Sequence, residues 1–368
     1  MRKRFAKQLT TTKGEQMATI LAGQMLKKGF MIFGVIVASA LMCTSFASDL
    51  QKQAKDLGLA PLPKNQKEVD AILQQNGIKS SPFSKAKAEL GKKLYFEPRL
   101  SKSGLISCNT CHNLGTAGID GVEAAIGHKW SSNPHHLNSP TVYNSVLNAT
   151  QFWDGRAKDL KEQAKGPIQD NAEMALPQKL AVQKIASIDE YVNEFKKIYG
   201  DGVTFDNIAD AIANFERTLL TPSRFDEFLR GKSSALNAQE KEGLKLFMDL
   251  GCASCHNGVN LGGSMQAFEV VEKYKHRLVG DFRGDKDGLV KAPTLRNVEQ
   301  TAPYFHNGAI WSLQEAIKEM GKIQLGVSID DKQAKDIEAF LRTLTGKKPV
   351  IIYPQLPDST PKTPKPQV

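Results

Sequence analysis

The sequence predicts a mainly α-helical protein built from two similar halves, with long loops and minor β structure. Three observations predict it. A set of motifs occurs twice, in the same order, along the 368-residue chain. Apolar residues recur at helical spacing in both copies, and Val/Ile-rich alternation of the kind that marks strands is scarce. A chain of this length has room for two domains with separate cores. At 40% hydrophobic and 24% charged residues its composition is that of a globular protein.

The N-terminus reads as an export signal. Lys27 and Lys28 precede an apolar run from Phe30 to Met42, interrupted only by Gly34 and Ser39, and the small residues Ser45, Ala47 and Ser48 follow. A positive segment, a short apolar core and a small-residue cleavage site are the parts of a secretory leader. The run is shorter than the roughly 20 residues needed to span a bilayer. The leader is therefore expected to be residues 1–47, with Met25 as the expected true start and Cys43 lost on cleavage. Export places the protein in the periplasm. The net charge of +10 also changes meaning: residues 1–47 hold seven Lys/Arg and one Glu, leaving 42 Lys/Arg against 38 Asp/Glu. An excess of four is a poor footprint for nucleic acid, although a small basic patch for a protein partner remains compatible with it.

The duplication supplies the order of elements. Glu89-Leu-Gly-Lys-Lys-Leu-Tyr-Phe leads to Cys108-Asn-Thr-Cys-His112-Asn, and Lys241-Glu-Gly-Leu-Lys-Leu-Phe leads to Cys252-Ala-Ser-Cys-His256-Asn. Ser139-Pro-Thr-Val is matched by Ala292-Pro-Thr-Leu, and Phe152-Trp-Asp-Gly by Tyr304-Phe-His-Asn-Gly. Leu-x-Glu patterns follow at Leu160 and Leu313, and Ile212-Ala-Asn-Phe-Glu-Arg-Thr-Leu matches Ile337-Glu-Ala-Phe-Leu-Arg-Thr-Leu. Ser84 to Phe96 reads as an amphipathic helix stopped by Pro98. Ile212, Phe215 and Leu219 form one helical stripe, and Ile337, Phe340, Leu341 and Leu344 another. The expected boundaries are an N-terminal arm at 48–80, domains at 81–222 and 223–346 meeting near Thr221-Pro222, and an extended Pro-rich tail at 347–368.

Outside the leader all four cysteines lie in the two Cys-x-x-Cys-His motifs. That motif attaches haem c: two thiols add to the porphyrin vinyl groups and the adjacent His faces the iron. A redox dithiol or half a zinc site has similar spacing, but duplication in an exported chain with no other cysteine favours haem. Cys108, Cys111 and His112 are assigned to one haem, and Cys252, Cys255 and His256 to a second. The halves are then cytochrome c-like domains, and four propionates bring the charge near neutrality.

The opposite face of each iron decides between electron transfer and reaction with a small ligand. Seven residues after Leu313 stands Met320; seven after Leu160 stands Pro167, which cannot ligate. Met320 is by spacing either a ligand that raises the potential or a core residue. For the first haem the candidates are His128, His135, His136 and Met174, each with an ordinary surface or packing alternative.

Over residues 80–346 the sequence resembles the bacterial di-haem cytochrome c peroxidases. The resemblance rests on the Ser107-Cys-Asn-Thr-Cys-His-Asn run, Ile126-Gly-His-Lys-Trp130, Asn138-Ser-Pro-Thr-Val, Gln151-Phe-Trp-Asp-Gly-Arg-Ala157, Ala172-Glu-Met-Ala-Leu-Pro177, Thr301-Ala-Pro-Tyr-Phe-His306 and Met320-Gly. It implies that His256 and Met320 hold a high-potential haem fed by a small cytochrome c or copper protein. The haem at His112 would be peroxidatic, with His128 as a distal ligand released on activation. Glu173 and Gln163 match an acid–base pair for O–O cleavage, and Trp153 an aromatic between the haems. Asn138, Thr301 and Pro303 match residues around an interdomain calcium. A homodimer is implied as well. His306 keeps a motif position near the second haem without an assigned role. Two other activities are compatible with two haems. One is a di-haem oxidase acting on a partner protein, a related group that carries Tyr where Met320 stands; the other is a plain electron carrier, which would have no use for Glu173.

Overall fold

Two helix pairs, one in each half, cross in the same way. The computed structural model describes residues 48–367, and the expected export leader lies outside the described residues. The first half contains α1 (Gln66–Gln75), α2 (Lys85–Tyr95), α3 (Cys108–Cys111), α4 (Leu160–Gln169), α5 (Gln178–Ala186), α6 (Asp189–Tyr199) and α7 (Phe205–Glu216). The second contains α8 (Arg224–Leu229), α9 (Ala238–Asp249), α10 (Leu313–Met320) and α11 (Asp331–Arg342). The sheet is small, β1 (Met265–Ala267) running antiparallel to β2 (Leu289–Lys291).

The helices start and stop where local chemistry sets them. Ser84 caps α2 by accepting from Lys87 N, and the helix ends at Phe96, ahead of Pro98. Asp159 and Ser312 cap α4 and α10 at the equivalent leucines. Asn237 with Glu240 and Asp330 with Gln333 form capping boxes on α9 and α11; each such cap satisfies amide groups that a helix start leaves bare.

In the first half α2 packs on α7, and in the second α9 packs on α11. A Cβ at Gly91 would run into the carbonyl oxygen of Ala211, and one at Gly243 into that of Asp336. Ala211 and Asp336 are themselves equivalent, each just before the isoleucine of its repeat. The repeated glycine is thus the point where two helix backbones touch. Leu90, Leu94, Tyr95, Ile208, Ile212 and Phe215 lie in the first core. In the second, Phe340 meets Phe225 edge to face and Phe247 at a tilt.

The halves meet around Thr221, which is fully buried. Asn144 and Asn297, equivalent in the repeat and both left-handed (φ 62° and 64°), each donate to the Thr221 hydroxyl, at 2.8 and 2.9 Å. The N-terminal arm also touches both halves. Leu62 N donates to Asp226, whose carboxylate pairs with the buried Arg296 at 3.0 Å, while Gln66 Nε2 reaches Arg217 O at 3.0 Å. From Gln53 onward the chain forms one compact unit. No helix among the described residues is long and apolar enough to cross a membrane.

The described part of the Pro-rich tail carries no helix or strand and returns across the first half. Tyr353 packs on Phe96 with ring centroids 4.7 Å apart, Arg99 donates to Pro357 O at 2.8 Å, and Thr360 bonds Ser187 O at 2.9 Å. Arg99 is itself held by the buried Glu97, at 2.6 Å.

Candidate haem sites

Each Cys-x-x-Cys-His motif forms a tight turn, α-helical at Cys108–Cys111 and 3-10 at Cys252–Ser254. All four thiols are unpaired. Burial raises the Cys111 thiol to about 12 and that of Cys252 to about 11, and pushes Cys108 higher still. Thiols raised in this way are the opposite of the lowered thiolates that a redox dithiol needs. Among the described residues no group of three or more His, Cys, Asp or Glu is placed to hold a metal ion.

The histidines are oriented by backbone carbonyls. His112 Nδ1 donates to Pro140 O at 2.9 Å, and His256 Nδ1 to Leu261 O at 3.3 Å with Pro293 O also close. A carbonyl can only accept, so Nδ1 carries the proton and Nε2 keeps the lone pair that an iron requires. Burial holds both imidazoles below their ordinary pKa. Pro140 and Pro293 are the same position of the repeated x-Pro-Thr segment. A haem at each motif fits these residues.

One large cavity, with about 1790 Å³ of empty space counted out to its mouth, opens beside the first motif. Cys108, Cys111, His112, Trp153, Gln163 and Glu173 line it. So do Asn138, Thr301 and Pro303, together with Pro167 and Met174. Cys252, Cys255, His256 and Met320 lie outside it; Met320 is half-buried at the end of α10, before a π-helical turn at Gly321–Leu325. Neutral oxygens from Asn138, Thr301 and Pro303 are of the kind calcium accepts, without a carboxylate among them.

The turn after α4 presents Glu173: its N–H bonds Asp170 O at 3.1 Å, and Met174 N and Leu176 N bond back to Pro167 and Ile168. Burial, with repulsion from Asp170, raises its carboxyl to about 7, and Arg156 pulls the other way. His128 N donates to Glu173 O at 2.7 Å, and a Cβ at Gly127 would strike Ala172 O. The His128 ring is buried and its Nδ1 has no partner. Lys129 and Trp130, which follow it, are both left-handed (φ 60° and 55°), a conformation costly for residues with side chains. His135 instead rests on Asp281 at 2.6 Å, and His136 lies 3.8 Å from Glu123.

Trp153 lies where the halves meet. Its indole N–H donates to Asn138 O at 2.9 Å, and its carbonyl accepts from Lys291 N at 2.8 Å. Asn138 N in turn donates to His306 O at 2.8 Å. Asn138 and Lys291 are equivalent, and so are Trp153 and His306, each following a left-handed phenylalanine (Phe152 φ 68°, Phe305 φ 69°). The halves therefore exchange the same backbone bond in both directions, with the Trp153 and His306 rings edge to face 6.3 Å apart. Burial lowers His306 to about 4, and Phe268 and Phe282 flank its ring.

Known proteins share this arrangement. Residues 85–234 match the family model of di-haem cytochrome c peroxidase, and residues 240–345 that of cytochrome c. A cytochrome c551 peroxidase of Pseudomonas aeruginosa is 49% identical over 307 residues, covering 80% of this chain and 88% of the relative. The chain belongs to the di-haem cytochrome c peroxidases. A cytochrome c551 peroxidase of Nitrosomonas europaea is also 49% identical, over 78% of this chain and 88% of its own length. Among solved structures, a MauG-like protein associated with microbial copper homeostasis superposes with a TM-score of 0.63 at 25% identity, over 72% of this chain and 91% of that one. As a member of the family the chain is an oxidoreductase carrying covalently bound haem c.

Sequence reasoning missed three features of this peroxidase's site. The Pro140 and Pro293 carbonyls were signalled only by the repetition of x-Pro-Thr. Glu216 lines the cavity, buried, with its carboxyl raised to about 8 by burial alone; the signal was Leu341 at the equivalent place. Lys291 also lines the cavity, and nothing in its sequence setting marked it.

Proposed function

We propose that the chain is a periplasmic peroxidase in which the second half receives electrons from a small cytochrome c or copper protein and the first half meets hydrogen peroxide. Two reduced donors, one peroxide and two protons give two oxidised donors and two waters. The observation that carries this division is the contrast at one position of the repeat: Pro167 lines the first cavity opposite an acid, whereas Met320 ends the equivalent helix. Haem c supplies one-electron storage and, where a face is open, a place for peroxide to bind. Cys108, Cys111 and His112 would hold the first, and Cys252, Cys255, His256 and Met320 the second.

The chain's own groups manage the proton. O–O cleavage needs a proton moved from one peroxide oxygen to the other, and a carboxyl titrating near 7 can both take it up and return it. Gln163, which lines the same cavity from α4, is a donor that can orient the peroxide. His128 would ligate the first iron at rest and would have to leave; an Nδ1 without a partner among the described residues and the strained pair behind it are what a releasable segment requires. Trp153, bonded to both halves, would aid electron transfer between them. Calcium bound at Asn138, Thr301 and Pro303 would fix the junction, and the active form would be a homodimer.

The test is one-electron reduction in the presence of calcium, followed by absorption spectra and by peroxide turnover with a reduced cytochrome. A first haem that opens and turns over supports the assignment; lasting six-coordination of both haems without turnover sinks it. Met320→Tyr is expected to lower the second haem's potential, and an unchanged potential would remove Met320 as ligand.

A further inference from the structure

Lys291 is a lysine in an unusual place. It ends β2, is 4% exposed, and lines the cavity beside the first Cys-x-x-Cys-His motif although it belongs to the second half. Its backbone is fully used, N–H to Trp153 O and strand pairing to Met265. Its ammonium makes no hydrogen bond or ion pair among the described residues. The nearest acid, Asp154, has both oxygens on Arg156, at 2.8 and 3.0 Å. The equivalent Asn138 makes the same backbone bond and satisfies its amide on Val122 O at 2.7 Å. The architecture therefore does not require a lysine here; any residue with an N–H would serve.

A buried ammonium without a counter-ion is costly, and proteins retain one where an anion completes it. The cavity lining it is otherwise mostly apolar, and the group that fills this cavity brings its own carboxylates. We infer that the Lys291 ammonium is the counter-ion of a propionate of the haem attached at Cys108 and Cys111, so that the second half sets the charge environment of the first half's haem. This inference rests on the haem assignment above. Burial lowers the lysine to about 8, against a smaller upward pull from Asp154, and a carboxylate in direct contact would raise it again.

The test uses the full haem-loaded protein. Haem content is read first, and two haems per chain in the wild type secures the assignment on which the inference rests. Potentiometric titration then compares wild type, Lys291→Met and Lys291→Arg. Loss of a neighbouring cation favours the oxidised haem, so Lys291→Met should lower the first haem's midpoint potential and leave the second's unchanged. Lys291→Arg should keep the wild-type value. Infrared difference spectra on reduction should show a propionate carboxylate band that shifts in Lys291→Met only. A purely structural lysine would move neither the potential nor that band. An unmoved first potential with both haems attached overturns the inference, as does a shift confined to the second haem. A first-haem potential in the wild type that shifts with added phosphate while the propionate band stays unmoved would also overturn it, since the lysine would then bind a free anion.

Discussion

The two halves use one scaffold and fill it differently. Both cross a pair of helices at a glycine, both turn a histidine onto a carbonyl near an x-Pro-Thr segment, and both send an asparagine to Thr221. The differences fall at equivalent positions around the haem turns: Tyr95 against Phe247, Pro167 against Met320, Glu216 against Leu341, Asn138 against Lys291. In each of the first three pairs the first half has either the more polar residue or the one that cannot ligate. These differences are what the proposed division of labour requires: a first site that admits peroxide and protons, and a second that only transfers electrons. Duplication kept what holds a haem and released what decides its chemistry.

The largest effect that would break this comparison belongs to Glu173. Glu173→Gln should lower peroxide turnover by roughly 10²–10⁴-fold, the range for a lost general acid–base group, with both haems still attached. As a base the carboxyl must be ionised, so wild-type kcat/KM should rise as pH climbs through about 7, and that limb should vanish in the variant. Stopped-flow turnover across pH 5–9 reads both, and an unchanged profile removes Glu173 from the chemistry.

The shared scaffold is tested next. Gly91→Ala and Gly243→Ala should each destabilise the protein by about 1–3 kcal/mol, because a Cβ there displaces a facing backbone carbonyl. Denaturant titration followed at each haem's absorption should show the loss in the half that carries the change. Similar tolerance in both halves would mean that the crossings are looser than drawn.

Glu216→Leu imports the second half's residue. The buried carboxyl has a folded pKa raised from 4.5 to about 8, so the folded state holds a proton that the unfolded chain releases. Stability is then lost as pH rises from about 4.5 to 8. The variant should therefore be stabilised by about 1–3 kcal/mol above pH 8 and little changed below pH 4.5. Thermal melts at the two pH values decide it.

The smallest effect is Tyr95→Phe, which makes α2 read like α9. Tyr95 donates to His112 O at 2.6 Å, and its loss should cost about 1 kcal/mol and shift the first haem's spectrum slightly. No change in either would show that this bond does not bear on the haem's histidine.

Much of this was legible in the sequence because the signals are side-chain identities at fixed spacing. Ser84 and Pro98 bracket α2 as expected, the isoleucine stripes are the packed faces of α7 and α11, and Trp153, Gln163 and Glu173 converge on one cavity. What was not legible depends on the backbone or on tertiary placement. Any residue offers a carbonyl, so Pro140 and Pro293 could not be singled out. A lysine at the end of a three-residue strand reads as surface until the other half folds over it. Gly91 and Gly243 were visible as a repeat, but only the crossing shows which atoms they admit.

The returning tail ties the order of synthesis to the order of completion. The first half is translated early, yet Arg99, Lys102 and Ser187 receive their last partners, Pro357, Gln367 and Thr360, only when the final residues have been made. These contacts span more than 150 residues, and closing such long loops slows folding. The first half is thus sealed only after the second half has been built.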